Sequence, residues 1–337
     1  MRRAVRPTVG DIGEEALIER VARLLGPPGP PVTVGIGDDC AVLDVGGRCV
    51  LFAHDTVVEG VHFLGPDEGA SPLADARSVG WRLGACNISD VAAMGGRPVA
   101  ATVSVACAAD LRVSWLDAVY EGLRDIAARY GLAVCGGDVV RIDGPTTLSL
   151  AILGEVDGSP VLRSGAAAGE VLCVTGALGE SRAALGGLPG PTDAVEAVIR
   201  RHLYPSPRVA EGQLLRSLGA TAMMDLSDGL ASDAPKLAAA SGVGVRIRLE
   251  SLPVSDELVQ ALGSREAAVE AALVGGDDYE LLVCLPPDRV GLATEGLRGH
   301  AGLTAIGVVT ESAGGCSVEL PHGRVTPLSD WSGWRHF

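Results

Sequence analysis

The chain of 337 residues has 42 acidic and 27 basic side chains, a formal charge of −15. That balance opposes binding to nucleic acid or anionic membranes, because both need basic patches. Its 47% apolar content excludes global disorder, and the length suggests two domains with sizeable cores. Lys236 is the single lysine, so neither a P-loop nor the strand lysine of a protein kinase is present. If the chain handles a nucleotide triphosphate, metal ions and arginines must carry the phosphate charge. The eight cysteines form no C-x-x-C pair, which argues against a zinc ribbon and for reduced, buried thiols in a cytoplasmic protein. The N-terminus lacks the apolar stretch of a signal peptide, and no apolar run is long enough to span a bilayer.

Along the chain, a helix is expected from about 11 to 25, with Asp11 and Glu14 resembling a capping box and Gly26-Pro27 as its stop. Residues 49–53 read as a buried strand ending at Asp55, 71–94 as mostly helical with Asp90 near the end, and 99–106 as a strand. The clearest helix spans 114–130. There Leu116, Val119, Tyr120, Leu123, Ile126 and Ala127 recur at helical spacing, Ser114 and Asp117 offer a cap, and Gly131 terminates. A short strand at 132–135 delivers Gly136-Gly137-Asp138, and 146–156 is another strand. The Gly-, Ser-, Pro- and Ala-rich stretch 157–169 marks a boundary between domains 1–157 and 158–337. Beyond it, strands are expected at 171–175, 222–226, 245–249, 279–285 and 304–309. Helices are expected at 180–188, 192–203, 208–218, 230–240, 288–297 and, as two short pieces, across 256–273. This mixture predicts α+β domains rather than a doubly wound sheet.

Aspartates recur in short glycine-rich segments: Gly35-Ile36-Gly37-Asp38-Asp39, Asp55-Thr56, Asn87-Ile88-Ser89-Asp90, Gly136-Gly137-Asp138, Asp225-Leu226-Ser227-Asp228-Gly229 and Gly275-Gly276-Asp277-Asp278-Tyr279-Glu280. Oxygen ligands suit Mg²⁺, which sits between one or two carboxylates and substrate phosphates. An aspartate after glycine is more often a simple turn former. Here Asp55, Asp138 and Asp225 follow or end strand-like runs, whose ends can converge on a multi-metal site. The adjacent pairs Asp38-Asp39 and Asp277-Asp278 repel unless a cation lies beside them. A lone histidine such as His62 is more often structural, and His54 reads either way. Trp331, Trp334 and Phe337 are either a tail docked on the core or a platform for a flat heterocycle.

Taken in order, these segments resemble the thiamine-monophosphate kinase family, part of a superfamily with aminoimidazole ribonucleotide synthetase and selenophosphate synthetase. The most specific matches are Val58-Glu59-Gly60-Val61-His62-Phe63 and Ser89-Asp90-Val91-Ala92-Ala93-Met94-Gly95, with Asp330-Trp331 completing the set. The resemblance implies an N-terminal α+β domain that dimerises through its sheet and a C-terminal α+β domain closing the site. It implies ATP-dependent phosphorylation of thiamine monophosphate to the diphosphate with several Mg²⁺ ions. Carried over by motif, Asp39, Asp55, Asp90, Asp138, Asp225 and Asp228 match metal-binding positions. Gly137, Asp138, Arg163 and Ser227 match nucleotide contacts, and His62, Asp277 and Trp331 match positions facing thiamine. Asp138, Asp228 and Arg163 are the residues expected to carry the transfer. Three positions depart from the family pattern: His54 stands for a small hydroxyl residue, Arg82 for a lysine and Asp277 for a glutamate. A ligase of the same superfamily and a non-catalytic ligand sensor are the competing readings. The early reactive cysteine that selenophosphate synthesis needs is missing, since the first cysteine is Cys40, inside a metal motif.

Overall fold

The computed structural model describes residues 8–66, 71–311, 315–331 and 333; Trp334 and Phe337 lie outside them. The first half contains α1 (Val9–Leu25), β1 (Val32–Val34), β2 (Ala41–Val45), β3 (Arg48–Val58), α2 (Ala76–Ala93), β4 (Arg97–Cys107), α3 (Val113–Tyr130), β5 (Ala133–Arg141) and β6 (Thr147–Val156). Its sheet runs β1-β2-β3-β6-β4-β5, antiparallel except for the β4–β5 pair. Alternation in β4 and β6 puts Ala101, Val103, Val105, Leu148, Leu150 and Ile152 into one core with α2 and α3. The opposite sheet face is open, with Phe52 and Leu153 exposed by 44% and 41%. One covered and one open face is what alternation in an antiparallel sheet specifies.

Helices α2 and α3 touch backbone to backbone. A Cβ on Gly80 would collide with the Val119 carbonyl, and one on Gly122 with the Arg77 carbonyl. This close crossing anchors α2 between the first sheet and the second half of the chain.

The second half contains β7 (Val171–Thr175), α4 (Glu180–Leu185), α5 (Asp193–Leu203), α6 (Val209–Ser217), β8 (Ala222–Asp225), α7 (Leu230–Ser241) and β9 (Gly244–Arg248). It continues with α8 (Asp256–Leu262), α9 (Arg265–Val274), β10 (Leu281–Leu285), α10 (Pro287–Gly296), β11 (Leu303–Thr310), β12 (Cys316–Glu319) and β13 (Val325–Pro327). The strand order is β13-β12-β9-β11-β7-β10-β8, a mixed sheet in which only β9–β12 is parallel. Both faces of β10 are buried, Leu282 and Cys284 on one side and Leu281, Val283 and Leu285 on the other. That explains its unbroken apolar run. The α+β architecture therefore stands.

Several local expectations are corrected. The box that caps α1 joins Thr8 to Asp11, not Asp11 to Glu14, and Gly13 interrupts the helix at φ 75°. Arg112 precedes α3 without a side-chain cap, so Ser114 and Asp117 are not its cap. Strand β3 continues through Asp55 to Val58, because these residues keep pairing with β6. Strand β5 continues through Gly136-Gly137-Asp138 to Arg141, held by its parallel pairing with β4. In both places sheet pairing overrides weak local propensity. All eight cysteines are free, but only Cys40, Cys173 and Cys284 are buried, and Cys135 on β5 is exposed.

Candidate functional site

Helix α2 is buried on nearly every side, so its polar residues need partners. Asn87 donates to the Leu83 carbonyl at 3.0 Å and accepts from the Asp55 amide at 3.2 Å. The Ser89 hydroxyl donates to Asp225 Oδ2, at the end of β8, at 2.7 Å. At the very next residue, Asp90 meets Asp39 and Asp225. Carboxylate oxygens of these three residues lie within 4.8 Å of one another, and Asp55 interacts directly with Asp90. Four of the six expected metal aspartates thus converge where α2 crosses from the first sheet to the second.

Burial, followed by repulsion from Asp55, Asp225 and Asp39, pushes the Asp90 carboxyl well up. Burial and then Asp39 do the same to Asp225. Asp38 rises to about 6, from burial and then from neighbouring Asp39. The cation that Asp38-Asp39 requires is Arg163. Its backbone N–H faces the Asp38 carboxylate, and its Nη2 donates to Asp39 Oδ1 at 2.7 Å. Asp39 Oδ2 is buried without a hydrogen-bond partner. A buried, partnerless carboxylate oxygen beside two more carboxylates fits an oxygen-coordinated divalent ion such as Mg²⁺.

The other expected metal residues sit apart. Asp228 Oδ2 receives Lys236 Nζ at 2.6 Å, and Lys236 also bonds Asp233 at 2.9 Å. Asp233 Oδ2 in turn accepts the amides of Ser227, Asp228 and Gly229 at 3.0–3.2 Å. Ser227 is exposed, with its turn fixed from behind by Asp233. Asp138 projects from edge strand β5 on the open face, in a row with Ser104, Ser149 and Thr56. Three inter-strand steps, roughly 14 Å, separate it from β3 and Asp55. His54 also lies on the open face, since successive strand residues point to opposite sides. At Gly137 a Cβ would strike the Val103 carbonyl, so this glycine has a packing reason of its own.

His62 and Asp277 are brought together by Arg82. Its guanidinium, on a buried side chain, donates to the His62 carbonyl at 2.7 Å and to Asp277 Oδ2 at 2.6 Å. The Tyr279 hydroxyl donates to Asp277 Oδ1 at 2.9 Å, and His62 Nδ1 accepts the Val58 amide at 3.0 Å. Trp331 packs, half-buried, against the second core. Sequence reading did not assign roles to Asn87, Ser89, Asp233 or Tyr279. Asp233 was the most findable, as an aspartate in the first turn of a helix that follows a tight turn.

Buried His202 shares a 2.6 Å hydrogen bond with Ser181, and burial, aided by the Arg82 charge, lowers it to about 4. Its folded value lies below the unfolded 6.5, so the unfolded chain binds the proton first. Its contribution is full above pH 6.5 and is lost as pH falls toward 4, a change on the order of 3 kcal/mol. Denaturant titrations of wild type and His202→Gln between pH 7.5 and 4.5 should show a clearly smaller acid loss in the variant; parallel curves would contradict this.

The profile described as AIR synthase related protein, N-terminal domain, matches residues 37–156, and its C-terminal counterpart matches 167–318. Thiamine-monophosphate kinase of Escherichia coli K12 is 38% identical over 334 residues, 96% of this chain and 98% of that protein. The Bacillus subtilis 168 protein of the same name is 34% identical over 91% of this chain and 94% of its own length. The solved structure of AaThiL complexed with AMPPCP and TMP superposes with a TM-score of 0.84 at 32% identity, covering 99% of this chain and all of that one. Hydrogenase maturation protein HypE in complex with ATP, at 18% identity and a TM-score of 0.65, shares the fold.

Proposed function

The chain belongs to the thiamine-monophosphate kinase family of AIR synthase related proteins, and from that premise we propose direct, in-line transfer of the ATP γ-phosphoryl group to the phosphate of thiamine monophosphate. The observation that carries this reading is the buried convergence of Asp39, Asp90 and Asp225. The nucleophile is a phosphate oxygen of thiamine monophosphate. With a second pKa of about 6, this monoester is already mostly a dianion at neutral pH, so no strong general base is required. The obstacle is anion–anion repulsion. Several Mg²⁺ ions would offset that repulsion by stabilising negative charge on the transferred group. Asp39, Asp55, Asp90 and Asp225 would hold such ions. Asp228, paired with Lys236 at 2.6 Å, would be a further ligand. Arg163 orients Asp39 and lends positive charge. The Ser227 turn faces the nucleotide, and His62, Asp277 and Trp331 face thiamine. The eight free thiols suit a reducing cytoplasm.

The working unit in this reading is a homodimer joined through the open sheet face, where Phe52 and Leu153 are exposed. Asp138 and Gly137 then serve the partner's site, which accounts for their distance from Asp55. Asp138→Asn and Asp225→Asn should each abolish most turnover alone, while subunit mixing by denaturation and refolding should regenerate one intact site per mixed dimer. Recovery toward a quarter of wild-type activity is expected; no recovery, with mixed dimers present, would remove the shared site.

Direct transfer is tested by stereochemistry. ATP chiral at a γ-thiophosphate should give product with inverted phosphorus. Retention would indicate a phosphoenzyme and overturn the single-step reading.

A further inference from the structure

Arg82 lies on α2, whereas Asp277 lies in the loop before β10 in the other half of the chain. Their 2.6 Å ion pair is largely withdrawn from solvent, with side-chain exposures of 9% and 28%. The same guanidinium holds the carbonyl of His62, which lies after β3 in a third segment. Asp277 sits at φ 59° and Tyr279 at φ 51°, left-handed conformations that cost energy outside glycine. The loop keeps this shape through Arg82 and Tyr279 on the two carboxylate oxygens and through Asp277 and Tyr279 amides on Ser227 and Leu226 carbonyls.

We propose that Arg82 is a positioning and specificity-determining residue of the thiamine-phosphate subsite, its guanidinium fixing the Asp277 carboxylate and the His62 segment in one arrangement. This rests on the reading of His62 and Asp277 as substrate-facing. Arg82 already neutralises Asp277. The subsite therefore offers the substrate a fixed hydrogen-bond acceptor rather than an unpaired negative charge. Lysine at position 82 is shorter and lacks the planar fork, so it loses one of the two contacts. Glutamate at 277 extends the carboxylate by one methylene and restores the reach.

The test is a double-mutant cycle on the full-length protein with Arg82→Lys, Asp277→Glu and both together. Each single change should raise the KM for thiamine monophosphate at least tenfold with the KM for ATP within twofold, and the double variant should recover most of the loss. Multiplicative losses in the double variant, or equal effects on both substrates, would overturn the proposal. Thermal denaturation of the ligand-free proteins gives the same cycle without activity. If wild type makes no thiamine diphosphate, the functional reading fails, yet non-additive melting temperatures still support the clamp and additive ones refute it.

Discussion

Asp225→Asn is expected to reduce turnover by on the order of 10³-fold while leaving the metal-free protein at least as stable as wild type. Catalysis loses one carboxylate of a three-carboxylate cluster that has a single arginine for relief. Stability moves the other way. The folded-state Asp225 carboxyl is raised by burial and by Asp39. A carboxyl raised on folding contributes stability at pH values below its unfolded range and loses it as pH rises through the folded value. Crowding these carboxylates without a metal therefore opposes the metal-free fold increasingly as pH rises, and asparagine removes one of them while its Oδ1 can still accept from Ser89. Mg²⁺ should raise the melting temperature of wild type and hardly that of the variant. Steady-state rates and melting curves with and without Mg²⁺ measure both. A variant that loses turnover only because it melts far below wild type would make Asp225 structural.

Gly122→Ala should be strongly destabilising. Helix propensity alone favours alanine by about 1 kcal/mol. Against that, the new Cβ would meet the Arg77 carbonyl and lie close to the Trp81 amide. Backbone cannot rotate aside as a side chain can, and α2 is packed on its other faces. Overpacking of even adaptable cores costs roughly 1–3 kcal/mol, so the clash should outweigh the gain by a few kcal/mol. Activity should fall with it, because α2 carries Arg82, Ser89 and Asp90 together. Gly144→Ala, where a Cβ meets nothing within 4 Å, is the control expected to be near neutral in denaturant titrations. Equal midpoints for the two variants would refute the tight α2–α3 crossing.

The amphipathic and strongly apolar elements were readable from sequence because their signal is local. Helix α3 and strand β7 were placed to within about a residue, and the aspartate motifs identified four residues that converge. What escaped depends on pairing distant in sequence. The extension of β3 and β5 past Asp55 and Asp138 is driven by β6 and β4, and no local pattern announces it. The short strands β1, β2, β12 and β13 exist through neighbours more than through their own alternation. Arg82 and Asp277, 195 positions apart, were visible only as two separate departures from a family pattern. Lys236, notable in the sequence only as the single lysine, is the partner of Asp228 and Asp233.

The most direct measurement of the central claim is chromatographic detection of thiamine diphosphate after incubation of the purified protein with ATP, Mg²⁺ and thiamine monophosphate, with thiamine as a parallel substrate. Diphosphate formed from the monophosphate alone, together with ADP, and abolished by a chelator is the expected result. A folded protein that binds both ligands tightly but releases no ADP would contradict it and leave a ligand sensor in place of a kinase.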